Sequence, residues 1–298
     1  ARRAVVVGAG YIGLEVAEGL LARGLDVTVV ERLDAPMAAV LDADMAGGVA
    51  DAMRAAGINL RLGTAVTGFT TAAGRVTAVE TAAGPLVADL AVIGLGVRPN
   101  SELARAANIG VGKSGGIIVD DRLHTGTPHV WAAGDCVESR HRITGWPVVI
   151  ALGTHANKQG RIVGTNIAGG QAAFGGVLGT AITRFQGVEI ARTGLAEREA
   201  EAAGFDTAGV ITEASSKAQY FPGAQPMKIK ILAERGTGRL LGAQIVGGEG
   251  AGKRIDVLSI PRDLWVTMPS GEDQRINTAF AESTQTLIDT IDENLGIP

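Results

Sequence analysis

A glycine-rich segment near the start of the chain constrains its fold more than any other feature. Its sequence is Gly8-Ala9-Gly10-Tyr11-Ile12-Gly13; the apolar run 4–7 precedes it and helical periodicity follows over 14–23. In such a strand–loop–helix pattern, the first glycine permits a tight turn and the second lets the backbone approach a pyrophosphate. The third lets the helix pack closely on the sheet. The helix N-terminus then presents free amides and a positive dipole end to the phosphates.

An acidic residue ends the next predicted strand, where a dinucleotide-binding loop of this type requires one. Residues 26–31 read as that strand, and Glu31 is the last of them. A carboxylate there can accept hydrogen bonds from the adenosine ribose and would repel a 2′-phosphate, which favours NAD over NADP. The alternative is a solvated charge at a strand end, and the basic neighbour Arg32 leaves NADP possible. The loop and Glu31 together predict a nicotinamide cofactor site.

The alternation of predicted elements indicates an α/β fold. Residues 1–62 read as strand, helix, strand, helix, strand, which is a doubly wound, Rossmann-like unit. Beyond residue 178, strand-like runs alternate with one helix, which indicates an α+β domain. Between these regions we predict hairpin strands at 64–89, strands at 90–93, 117–119 and 129–132, and a helix at 156–167.

The composition argues against several classes of function. The net charge is −4 and basic residues are scattered, which speaks against a nucleic-acid partner. The sequence has no run of about 18 apolar residues, so we predict no membrane span. No pair of histidines or carboxylates has the spacing of metal ligands. Cys136 is the single cysteine, so we expect a reducing, cytoplasmic location. Its neighbour Asp135 would raise a thiol pKa, which favours a structural cysteine over a redox nucleophile.

Small residues and one carboxylate follow two other predicted strands. Gly94 and Gly96 follow one strand, and Gly134 and Asp135 follow another. Ligands bind outside the carboxyl ends of parallel strands, and an aspartate placed there can bond a polyol hydroxyl. A flexible loop and an ordinary turn aspartate are the alternatives. His155, next to the start of a predicted helix, fits ligand contact and local packing equally well.

Several spaced motifs in a fixed order carry a family resemblance. The first runs from Gly8 to Glu15 and includes the glycine loop, Gly8–Gly13. The others are Gly94–Asn100, Val130–Cys136, Ala156–Arg161, Thr193–Leu195, Tyr220–Gly223, Leu240–Val246 and Lys253–Asp256. This set resembles the FAD-dependent pyridine nucleotide-disulfide oxidoreductases, in particular the branch of coenzyme A disulfide reductases, NADH oxidases and NADH peroxidases. The resemblance implies a Rossmann-like NAD(P)-binding domain at 1–97, the C-terminal part of an FAD-binding domain at 98–172 and an α+β dimerisation domain at 173–298.

The resemblance also implies a role for each matching residue. Tyr11 would lie over the flavin ring and swing aside for the nicotinamide, and Glu15 would lie near the nicotinamide, so these two are the expected catalytic residues. Asp135 would bond the flavin ribityl chain, and Tyr220 would reach the substrate site of a partner subunit. The expected cofactor-binding residues are Gly8, Gly10, Tyr11, Ile12, Gly13, Glu31, Gly94, Gly96, Gly134, Asp135, His155 and Ala156.

The implied activity is that of an NAD(P)H- and FAD-dependent oxidoreductase. Hydride would pass from NAD(P)H to FAD, and electrons then to a small-molecule disulfide, persulfide, peroxide or dioxygen, in a homodimer. A ferredoxin- or rubredoxin-type reductase is one alternative, against which the motifs at Tyr220–Val246 argue. A dinucleotide-binding module without catalysis is another.

Two departures from the family pattern bear on these expectations. The family's own FAD-binding glycine motif and redox cysteine do not occur in this sequence, which favours the non-catalytic alternative for the chain by itself. We therefore expect the sequence to be a fragment that retains FAD poorly, and a stoichiometric flavin spectrum of the purified chain would contradict this. Residues 259–298 match no part of the family; a frameshift, a divergent end and a different module remain open.

Overall fold

The computed structural model describes residues 1–259 of the chain. These residues form two compact units, one made of Ala1–Gly96 and Ile182–Ser259 and the other of Val97–Ala181. No helix within the described range is long and apolar enough to cross a membrane.

The N-terminal part of the first unit alternates strands and helices. In chain order they are β1 Arg3–Val7, α1 Tyr11–Ala22, β2 Asp26–Val30, α2 Ala43–Ala55, β3 Asn59–Arg61, β4 Val66–Ala72, β5 Arg75–Thr81, β6 Leu86–Val87 and β7 Leu90–Ile93. Strands β3, β2, β1 and β7 form a parallel sheet in that order, and β4, β5 and β6 form an antiparallel sheet. The strand order reverses between β1 and β7, and ligands bind at the carboxyl ends of such a switch point.

Burial on both faces explains why β1 is a continuous apolar run. Val6 faces α1 and α2 within a cluster that includes Leu14 and Met45. Val5 and Val7 belong to a second cluster with residues of the antiparallel sheet. Because successive strand residues point to opposite faces, a strand covered on both sides needs apolar residues at every position.

The second unit contains little regular structure. Its elements are α3 Glu102–Ala106, β8 Ser139–Arg140, β9 Pro147–Val148 and α4 Gly153–Ile167. The helix α4 begins earlier than expected, so His155 lies inside its first turn rather than before it.

Our prediction of strands at 117–119 and 129–132 is wrong. Within these segments only Ile117 and Trp131 make isolated bridges. Residues 129–132 pair instead with a turn that lies close by in the sequence. One of their few hydrogen bonds is donated by the Ala132 amide to the Leu123 carbonyl of that turn. Such short-range pairing is too brief to form a ladder.

The C-terminal part of the first unit is a five-stranded sheet with helices. Its elements are β10 Ala181–Phe185, β11 Val188–Gly194, α5 Glu197–Ala202, β12 Thr207–Ser215, β13 Pro226–Glu234, β14 Leu240–Gly247 and α6 Ala251–Leu258. The strand order is β10, β11, β14, β13, β12. Ile255 of α6 packs on Ile245 of β14 in the core of this part. The expected α/β and α+β classes are therefore confirmed, whereas the atypical tail beyond Ser259 lies outside the described residues.

A buried lysine joins the two parts of the first unit. The side chain of Lys230 is 2% exposed, and its Nζ lies 3.0 Å from Asp42 Oδ2, 2.7 Å from Asp44 Oδ2 and 3.0 Å from Glu197 Oε1. Burial lowers the pKa of Lys230, but hydrogen bonds to the three carboxylates outweigh burial and raise the pKa above its ordinary value. Gln244 Nε2 also donates to Asp42 at 2.7 Å, so the start of α2 is fastened to β13 and β14.

Candidate cofactor-binding sites

Close contacts between backbones explain two of the three glycines in the loop after β1. Gly8 has φ +102°, and a Cβ atom there would lie 2.4 Å from the Gly94 carbonyl oxygen. A Cβ atom on Gly13 would lie 2.0 Å from the Gly8 carbonyl oxygen. Both distances are far below van der Waals contact, so a side chain at either position would force β1, α1 and the end of β7 apart.

Gly10 differs from the other two glycines because its surroundings are open. A Cβ atom there would have no heavy atom within 4 Å among the described residues. Gly10 is the N-cap of α1, and no side chain of the described chain caps the helix at this end. The first amides of α1 therefore face open space, which is the arrangement that binds phosphate at a helix N-terminus.

Glu31 contacts the glycine loop directly. Its Oε2 accepts a hydrogen bond from the Ala9 amide at 2.8 Å, and its Oε1 accepts one from the Leu33 amide at 2.9 Å. A carboxylate has further lone pairs, so these bonds leave it able to accept ribose hydroxyls. The sequence indicated the ribose role of Glu31 but not its second role as a brace for the loop.

The end of β7 lies against the same loop. The Gly94 amide donates to the Val7 carbonyl at 2.8 Å, and the Gly94 carbonyl faces Gly8. Gly96 has φ +96° and open surroundings. The structure therefore brings Gly94 to the glycine loop. A Cβ atom on Gly94 would lie 3.5 Å from the Gly13 nitrogen, so the missing side chain of Gly8, and not that of Gly94, permits the close approach of the two backbones.

Tyr11 and Glu15 lie four residues apart on one face of α1. Tyr11 is half-buried against the cluster around Leu14. Burial raises the pKa of Tyr11, and the nearby Arg192 opposes that shift. Glu15 is exposed and accepts a hydrogen bond from Thr183 Oγ1 at 3.3 Å; it lines an open groove of about 860 Å³. Ile12, between them, is 45% exposed.

In the second unit, the structure brings the expected flavin residues together. A Cβ atom on Gly134, which has φ +87°, would lie 3.5 Å from Ala156 Cβ. Asp135 is exposed, and its carboxylate charge acts on His155, whose pKa it raises slightly against the effect of burial. The His155 Nδ1 atom is buried and has no hydrogen-bond partner in the described chain. Burial also lowers the pKa of His155 below its ordinary value.

Gln159, which was not among the predicted site residues, orders this group. Its side chain is buried, and its Oε1 accepts the Gly134 amide at 2.7 Å while its Nε2 donates to Ser139 Oγ at 2.9 Å. The signal was present, since Gln159 lies three residues after Ala156 and therefore on the same face of α4.

Two further residues named in the sequence analysis are Cys136, which follows Asp135 directly, and Tyr220. Cys136 is half-buried, and its Sγ donates to the Ala133 carbonyl at 3.5 Å, in keeping with a structural role. Tyr220 is 85% exposed, and its ring is tilted by 44° to the ring of Phe221, with centroids 5.5 Å apart. Among the described residues, no group of histidines, cysteines and carboxylates could hold a metal ion.

Comparison with known families decides the relationship that these sites suggest. Residues 1–160, more than half of the chain, match the family model described as pyridine nucleotide-disulphide oxidoreductase. The chain belongs to this family. Residues 180–270 match the dimerisation domain of the same family, so the resemblance seen in the motifs is confirmed.

The similar proteins include several named reductases. The NAD(P)H coenzyme A polysulfide/persulfide reductase of Pyrococcus horikoshii is 38% identical over 82% of this chain and 55% of its own length. A coenzyme A disulfide reductase of Staphylococcus aureus is 34% identical over 87% and 58%. The structure of a NAD-dependent persulfide reductase from A. fulgidus has a TM-score of 0.91 and 36% identity over 99% of this chain and 56% of its own. The chain thus spans little more than half the length of these relatives.

The tail has a match of its own. Residues 245–298 match the model of the LytR_cpsA_psr family. The dimerisation-domain match extends to residue 270, so residues 259–270, which we expected to match no part of the family, fall within both matches. For residues 271–298, the LytR_cpsA_psr match favours a different module among the three alternatives.

Proposed function

We propose that the chain binds NAD(H) at the loop Gly8–Gly13 and contributes this site to an NAD(P)H-dependent flavoprotein oxidoreductase. The observation that carries the proposal is the uncapped N-terminus of α1, with open space at Gly10 and the Glu31 carboxylate beside it. The pyrophosphate would lie over the amides that follow Gly10, and the adenosine ribose would lie beside Glu31.

The residues of the second unit fit a flavin. Asp135 offers an exposed carboxylate for a ribityl hydroxyl, and the buried, unpartnered Nδ1 of His155 is suited to a polar atom of a ligand. Gly134 and Ala156 are the small residues of this group, and they lie against each other. A bound FAD would supply the redox chemistry, because it can take hydride from a reduced nicotinamide.

Tyr11 and Glu15 would act at the nicotinamide end of the site. Tyr11 would cover the flavin until nicotinamide displaces its ring; burial raises the pKa of its phenol, and Arg192 opposes that shift. Glu15 would orient the nicotinamide. Gly94 and Gly96 would line the path of the dinucleotide beside the loop.

The electron acceptor would be a small disulfide, a persulfide, a peroxide or dioxygen. The relatives support a disulfide or a persulfide within this range, since their names specify coenzyme A disulfide and persulfide reduction. The match to a dimerisation domain supports a homodimer. In that homodimer the exposed Tyr220 would reach the partner's substrate site. The absence of a second cysteine accords with a reducing cytoplasm.

Calorimetric titration of the chain with NADH and NADPH tests the proposal. We expect NADH to bind more tightly than NADPH. Glu31→Gln should narrow that preference, because it removes the charge that repels a 2′-phosphate but keeps a hydrogen-bond acceptor. Glu201→Gln, an exposed glutamate on α5, is the matched control and should change neither affinity. Failure of both nucleotides to bind would overturn the proposal.

A further inference from the structure

A strained turn connects the dimerisation domain to the glycine loop. Met37 has φ +56° although it carries a side chain, and that side chain is 1% exposed. Its amide donates to the carbonyl of Ala9, inside the loop, at 2.9 Å. A left-handed conformation costs free energy in a residue with a Cβ atom, and it persists only where the surrounding structure enforces it.

Two arginines of the dimerisation domain enforce this turn. Arg192 Nη1 donates to the Val40 carbonyl at 3.0 Å. Arg198 Nη1 donates to the Ala38 carbonyl at 2.6 Å, and its Nη2 donates to the Ala39 carbonyl. Three consecutive carbonyls are thus held by two guanidinium groups, which we call the arginine clamp (Arg192 and Arg198). The amide of Val40 in turn donates to the Met37 carbonyl at 2.8 Å, which closes the turn.

Arg192 is itself rigidly placed. Its residue is 8% exposed. Its Nη2 donates to the Gly194 carbonyl at 2.7 Å and to Glu199 Oε2 at 2.6 Å. A planar guanidinium with several satisfied donors in a buried setting fixes its partners more firmly than a flexible ammonium would.

We propose that the arginine clamp positions the glycine loop for dinucleotide binding, acting through the turn at residues 37–40 and the Met37–Ala9 hydrogen bond. In this proposal the clamp residues act through the turn and not on the nucleotide itself, which makes them positioning residues. The dimerisation domain therefore sets the affinity of a site that lies in the other part of the same unit. This inference rests on the proposed nucleotide site.

Three substitutions test the clamp, each assayed by NADH titration below the thermal unfolding midpoint. We expect Arg192→Met to weaken NADH binding about tenfold and the exposed Arg198→Met about threefold, as loss of charge-assisted hydrogen bonds predicts. Arg192→Lys should recover part of the affinity, because it keeps one donor. Arg235→Met, an exposed arginine paired with Asp206, is the control and should bind as the unchanged chain does.

A second readout separates this inference from the proposed function. Amide hydrogen exchange at Met37 needs no ligand, and it should be faster in Arg192→Met and Arg198→Met than in the unchanged chain or in Arg235→Met. If the unchanged chain does not bind NADH, the proposed function fails while exchange still reports on the clamp. Unchanged exchange at Met37, or unchanged NADH affinity in folded clamp variants of a chain that binds NADH, would overturn the inference.

Discussion

At the scale of single residues, the three glycines of one motif are needed for different physical reasons. Gly8 and Gly13 are required because two backbones nearly touch, whereas Gly10 has free space around it. Local pattern was sufficient to predict all three, since a strand, a tight turn and a helix impose their geometry on adjacent residues. Gln159 and Arg192 were not predicted as site residues, because their roles depend on partners that only the tertiary structure brings near.

Gly10→Ala and Gly13→Ala should therefore fail in different ways. A methyl group on Gly10 meets no atom of the described chain, so we expect unchanged stability but at least about tenfold weaker NADH binding, because the methyl occupies phosphate space. Gly13→Ala should lower the free energy of unfolding by about 1–3 kcal/mol through overpacking. Urea denaturation and NADH titration measure both, and wild-type affinity in Gly10→Ala would contradict the role of that glycine.

At the scale of elements, buried charges rather than apolar contacts alone connect α2 to the strands β13 and β14. Lys230 contacts three carboxylates that come from two distant parts of the sequence. The sequence predicted the strand that carries it, through its apolar neighbours, but a lysine in a strand reads as a solvated charge. Its burial became evident only in the packed structure.

Lys230→Met should be strongly destabilising. It leaves Asp42, whose side chain is 8% exposed, without its cation, and breaking one side of a buried ion pair costs about 3–5 kcal/mol. Lys228→Met, on the same strand, is the matched control because its Nζ bonds only an exposed backbone carbonyl, that of Asp44; it should cost below about 1 kcal/mol. Similar urea midpoints for the two variants would show that the charge cluster contributes little.

The stability of the protein at acid pH should depend on Glu199, in the first turn of α5. Burial raises the pKa of Glu199, but Arg192 outweighs burial and the pKa lies below its ordinary value. A carboxylate whose pKa is depressed by folding stabilises the protein above its unfolded pKa, about 4.3, and that contribution is lost as pH falls through the folded pKa. Glu199→Gln should thus lower stability at neutral pH and weaken its decline in acid, whereas Glu201→Gln should leave the urea midpoint at each pH unchanged.

At the scale of the whole molecule, the fold was predictable where the pattern was regular. The parallel sheet, its helices and the C-terminal sheet follow from apolar periodicity over adjacent segments. The second unit was the exception: the segments at 117–119 and 129–132 are apolar enough for strands but pair only briefly with neighbours. Strand formation needs a partner as well as a pattern, and periodicity does not report the partner.

A crystal structure of the chain grown with NADH tests the central claim most directly. The pyrophosphate should lie over the amides that begin α1, beside Gly10, and the adenosine ribose hydroxyls should lie within hydrogen-bond distance of Glu31. NADH bound with its pyrophosphate at any other place, or a glycine loop that stays empty at saturating NADH, would contradict the account.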